Sequence, residues 1–152
     1  MEEAHYRFVT TEANLTLHES MITQANLTSN LVLTVDSLDV FADHSLNPTG
    51  RHQVTGPAEV ELVQAYLADS KQIYVSEGFQ VSLENFKTYS KIEILSFEFE
   101  PSNQLVKIYC EIERSMLVEY HIHCEQVYYK WNALQGDAWF QDWPASADSA
   151  ND

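Results

Sequence analysis

The stretch KIEILSFEFEPSNQLVKIYCEIERSMLVEYHIHCEQVYYKW, residues 91–131, decides the architecture, because apolar and polar residues alternate through most of it with a period of two. On its first segment Leu95, Phe97 and Phe99 alternate with Ile94, Ser96, Glu98 and Glu100, and Pro101-Ser102-Asn103-Gln104 then supplies a turn. Pairing Glu100 with Leu105 sets Phe99 beside Val106, Phe97 beside Ile108 and Glu98 opposite Lys107, an ion pair across the strands that supports the register. A second turn at Arg114-Ser115-Met116 would place Ile112 beside Val118, Ile108 beside Ile122 and Val106 beside Cys124. The stretch therefore reads as a three-stranded antiparallel meander with one consistently apolar face.

Outward from it, residues 27–35 favour a strand with Leu31, Leu33 and Val35 on one face and Val32 and Thr34 on the other, and Leu15 and Leu17 suggest a weaker strand before it. The string Ala-Asn-Leu-Thr occurs at 13–16 and again at 25–28, too short a match to establish a repeat. Between Asp43 and Gly56 the pattern breaks into a polar loop, with a β-turn at Asn47-Pro48-Thr49-Gly50. Gly56-Pro57-Ala58-Glu59 reads as a helix start, with proline at the first helical position and Glu59 at the positive end of the dipole. Val60, Val63, Tyr66 and Leu67 then form a stripe that predicts a helix over 57–70. Short strands follow at 72–75 and 79–83.

The expected fold is thus α+β: an antiparallel sheet of about five or six strands, including the 91–131 meander, covered by one main helix at 57–70. A chain of 152 residues, 45% hydrophobic, suits a single domain, here read as 1–143, with 144–152 as a disordered acidic tail.

Charge narrows the function. Twenty-three acidic residues against eight basic ones give a formal net charge of −15, and no basic residue follows Lys130. Such a field repels nucleic acid and anionic lipid, attracts cations or a basic protein surface, and keeps a protein soluble. Met1-Glu2-Glu3-Ala4-His5 does not resemble a secretory signal, and no run approaches the roughly 20 apolar residues of a membrane span, so a cytoplasmic protein is expected. The sequons at Asn14 and Asn26 then have no use, and Cys110 and Cys124, without a CxxC spacing, read as buried free thiols. The chain has no Gly-x-Ser-x-Gly elbow, no HExxH helix and, with four glycines, no phosphate-cradling loop, and no cofactor is implied.

The polar face of the meander is the candidate site. The assumed register aligns Glu111 with Glu119, Tyr109 with His121 and Lys107 with His123, with Glu113 and Glu125 extending the patch. Carboxylates set directly opposite repel, and a cation or an arginine from a partner would relieve them. His121 and His123 project to one side, a spacing that suits two metal ligands with Glu119 or Glu111 as a third, although the stronger reading is a solvated strand face, which commonly carries such residues with no metal at all. Trp139, Phe140 and Trp143 beside carboxylates have the composition of a docking segment, or of aromatics folded back on the sheet.

Two functions follow. The first is a non-enzymatic acidic protein that engages and masks a basic protein partner, as an immunity, inhibitor or chaperone protein does. Carboxylates about 6.6–7 Å apart on alternate strand residues make nucleic-acid mimicry a special case. The alternative is a small ligand-binding protein or enzyme using His121, Glu119 and Tyr109 for acid–base work, with the loop residues His44 and His52, near Asp43 and Arg51, as an alternative site of equal standing. A homodimer could form through an edge strand within 117–131.

Overall fold

In a computed structural model, which describes residues 6–139, the chain is built from antiparallel strands with one short helix. In chain order these are β1 Phe8–Thr10, β2 Leu15–Thr16, β3 Met21–Leu27, β4 Leu31–Val35, β5 Asp39–Val40, β6 Gln53–Thr55, β7 Ala58–Val63, β8 Tyr66–Tyr74, α1 Asn85–Thr88, β9 Ile92–Glu100, β10 Leu105–Ile112, β11 Met116–His123, β12 Gln126–Trp131 and β13 Leu134–Asp137. Nine of them form one sheet in the order β1-β12-β7-β4-β3-β9-β10-β11-β8, and four form a second, β13-β6-β5-β2.

This corrects the α+β expectation. Residues 57–70 are not a helix but the strands β7 and β8, separated by a turn in which Gln64 takes φ 54°. The first half of the stretch also alternates: Ala58, Val60 and Leu62 are fully buried, while Glu59, Glu61 and Val63, the last a member of the expected helical stripe, are partly buried on the other face. Packing chose the period of two because Glu59 and Glu61 then both reach Lys130 of β12, at 3.2 and 2.7 Å. The strand expected at 79–83 is absent, and α1, four residues long, follows it. Its role is to fill one end of the core, where Phe86 packs 4.7 Å from Tyr120 and the Tyr120 hydroxyl donates to Asn85 Oδ1 at 2.8 Å.

The register shows how the long sheet rolls up. His123 pairs with Tyr66 and Gln126 with Val63, so one continuous register runs from β11–β8 into β12–β7 through the corner at Cys124-Glu125 and Gln64-Ala65. The Glu125 N–H donates to the Val63 carbonyl at 2.8 Å within that corner. Thus β7 and β8 are halves of one bent strand, β11 and β12 of another, and the ladder β12-β7-β4-β3-β9-β10-β11 closes on itself. Buried side chains of this ring and of the small sheet, including Leu15, Leu38, Val40, Val60, Ile108, Val118 and Trp131, make a single core.

The β9–β10 register is the expected one, with Glu100 opposite Leu105 and Glu98 opposite Lys107. A bulge at Leu95 interrupts it, so Ile92 and Ile94 point into the core on one side of the bulge and Phe97 and Phe99 on the other. The β10–β11 register differs from expectation by two residues. The turn is centred on Glu113 and Arg114, both left-handed at φ 55° and 58°, with Ser115 N–H donating to Ile112 O at 3.1 Å. Glu113 is held there because its carboxylate accepts the Ser90 N–H at 3.0 Å and its own N–H donates to Lys91 O at 2.6 Å. Neither half of 117–131 is an edge: β11 lies between β10 and β8, and β12 between β1 and β7. No helix among the described residues is long and apolar enough to cross a membrane.

Candidate functional site: the outer face of the ring

Strand alternation places Glu111, Glu119, His121 and His123 together on the outside of the ring, all partly buried, while their neighbours Cys110, Ile112, Val118, Tyr120 and Ile122 fill the core. The turn shift changes their partners. Glu119 faces Tyr109 and Lys71, His121 faces Lys107 and Asp69, and His123 faces Leu105 and Tyr66. Glu111 does not meet Glu119; it lies opposite Leu117 on β11 and opposite Glu93 on β9. The opposed carboxylates are therefore real but belong to a pair that the sequence reading missed. The bulge at Leu95 creates it by shifting every β9 residue before it by one position.

Glu93 and Glu111, together with Met21, Lys91 and Arg114, line a hollow of about 280 Å³ on this face. Arg114 is an exposed residue on the strained turn. Glu113 serves that turn, and Glu125 is exposed at the strand corner. Trp139 is 50% exposed, its ring 6.4 Å from His18, on the small-sheet side and not on the carboxylate face. Phe140 and Trp143, and the tail 144–152, lie outside the described residues.

The histidines have specific surroundings. His121 Nε2 approaches Glu119 Oε1 at 3.6 Å, and His123 stacks on Tyr66 with centroids 4.8 Å apart. His121 Nε2 and His123 Nδ1 are each buried with no hydrogen-bond partner. Among the described residues no group of three His, Cys, Asp or Glu side chains could hold a metal ion. The expected Tyr109–His121 pair does not form, since Tyr109 sits across from Glu119.

The loop histidines brace the chain. His44 is 2% exposed, its Nδ1 accepts the Leu46 N–H at 3.0 Å, its Nε2 meets Glu12 O at 3.2 Å, and its ring packs edge-on to Trp131. His52 Nδ1 accepts the Ala42 N–H at 3.0 Å, and Asp43 is bonded by Asn14. Arg51 pairs with Asp137 at 2.7 Å and, with Gln53, holds that carboxyl below its ordinary range.

Three of the eight cationic side chains, Arg51, Lys87 and Lys130, form ion pairs within the fold. Burial opposes the Lys130 charge, yet hydrogen bonds to Glu61 and Glu59 outweigh it and raise its pKa. The same contact, partly opposed by burial, lowers Glu61. Comparison with family models, with curated proteins and with solved structures finds no match for this chain.

Proposed function

We propose that this protein is a non-enzymatic acidic binder whose outer β9–β10–β11 face engages a basic protein surface and masks it, in the manner of an immunity, inhibitor or chaperone protein. The observation that carries the reading is the pair Glu93–Glu111, set directly across the β9–β10 ladder. Like charges so placed destabilise a sheet; Lys91 and Arg114, which line the adjoining hollow, offset them in part, and a partner's cationic side chain entering it relieves them further. The net charge of −15 supplies a long-range field that speeds the approach of such a partner and resists nucleic acid. Lys130, Arg51 and Lys87, being paired with Glu59 and Glu61, Asp137 and Glu84, do little to soften that field.

The test is affinity capture from lysate of the native host at low and high salt, with wild-type protein and with an E93Q/E111Q variant. A near-stoichiometric basic protein, released by salt and retained at least about tenfold less well by the variant, is the expected result. Retention that is indifferent to both salt and the double substitution would remove the reading.

A further inference from the structure

Strand β8 lies at one end of the long sheet, so its second edge has no strand neighbour among the described residues. It is nine residues long and carries Tyr66 at 56%, Ile73 at 55% and Tyr74 at 68% exposure. Elsewhere among the described residues only Val9 and Trp139 are large, apolar and comparably exposed. Free edges of this length are templates for another strand.

Its sequence, Tyr66-Leu67-Ala68-Asp69-Ser70-Lys71-Gln72-Ile73-Tyr74, is complementary to itself when reversed about Ser70. An antiparallel copy centred there sets Asp69 opposite Lys71, Leu67 opposite Ile73 and Tyr66 opposite Tyr74, and each pair occurs twice by symmetry. The backbone supports that match. Against β11, the register slips at Ala68 and at Ile73. These two bulges bring Tyr66, Asp69, Lys71 and Tyr74 onto the outer face, opposite His123, His121, Glu119 and Leu117, where simple alternation would have divided them between faces.

The Ser70 N–H supplies the centre. It donates to its neighbour's Asp69 Oδ1 at 2.8 Å, a local contact that caps an edge donor. Pairing across a two-fold axis lets the Ser70 carbonyl of the second copy take that N–H, while the freed Asp69 carboxylate turns to Lys71 of the second copy.

We infer that β8 is a self-recognition edge through which two copies of this chain join as a symmetric dimer, in antiparallel register about Ser70. Lysine and bulges on an edge ordinarily turn foreign strands away. A second copy converts both guards into contacts, because it alone presents Asp69 to Lys71 and the same outer-face spacing. The dimer does not depend on the proposed binding of a basic partner. The two differ in sign: salt weakens acidic-to-basic binding but screens the repulsion between two chains of net charge −15 and strengthens self-association.

The test combines sedimentation equilibrium of the full chain over a wide concentration range with cysteine cross-linking by oxidised glutathione. Directly opposed residues in an antiparallel pair have Cα atoms about 4.5–5.5 Å apart, within disulfide range. Two copies of residue 72 in this register lie about 13 Å apart. S70C is therefore expected to cross-link at least about tenfold faster than Q72C, and mixed A68C and Q72C chains to cross-link with each other. Cys110 and Cys124 are buried and do not compete. S70P, which removes a donor that β11 does not use, should keep the monomer's circular dichroism and weaken self-association about tenfold, one hydrogen bond being lost from each chain. A wild-type protein that stays monomeric throughout, cross-linking of Q72C as fast as S70C, or a dimer untouched by S70P would each overturn the inference.

Discussion

Asp39, at the start of β5, is 6% exposed, and burial pushes its carboxyl up to about 6 despite a hydrogen bond from Trp139; nearby Asp36 and Glu19 add to the rise and His18 opposes it. Between about pH 4 and pH 6 the folded protein holds a proton that the unfolded chain has released. This group's contribution to stability therefore falls as pH rises through that window, and above it the cost is fully present, on the order of 3 kcal/mol. D39N, neutral throughout, is expected to match the wild type near pH 4 and to be more stable by up to about 3 kcal/mol at pH 7.5, read by urea unfolding at both pH values. A difference independent of pH would show that the Asp39 charge is not what burial opposes. At the same scale, burial raises the Cys110 and Cys124 thiols to about 12 and about 11, in keeping with the reading of both as buried free thiols.

At the scale of elements, the bulge at Leu95 decides both a core and a site. It lets Ile92 and Ile94 share the interior with Phe97 and Phe99, and it places Glu93 across from Glu111. Deleting Leu95 leaves β9 with one of those apolar pairs turned to solvent, an expected loss of more than about 3 kcal/mol seen in urea unfolding and near-ultraviolet circular dichroism. L95A keeps the residue count and should cost about half that or less; equal losses would mean that the side chain, not the bulge, matters. The pattern of residues 97–100 against 105–108 was legible because two-residue alternation and the Glu98–Lys107 pair agree on one register. The next hairpin was not, because nothing local marks Glu113 and Arg114 for the left-handed conformation that usually calls for glycine or asparagine. Their conformation is fixed by Ser90 and Lys91, distant in sequence.

Across the whole molecule, a net charge of −15 on one small domain opposes compaction, so stability should rise by about 1 kcal/mol or more between low and near-physiological ionic strength, read as the urea midpoint. A midpoint unchanged by salt would mean that the carboxylates are already neutralised pairwise. Composition and alternation determined by themselves that the chain is acidic, that 91–131 forms antiparallel strands with one buried face, and that Glu111, Glu119, His121 and His123 lie on the other face. These are properties of residue type and of a period of two, which need no partner to be defined. The identity of 57–70 as strand, the closure of the ring at Cys124-Glu125, the Glu93–Glu111 opposition and the place of β8 at the end of the long sheet among the described residues were decided only in the tertiary structure. An apolar segment that fits both a helix and a strand takes the form whose hydrogen bonds and ion pairs are completed by distant residues, here Lys130 and the β12 backbone.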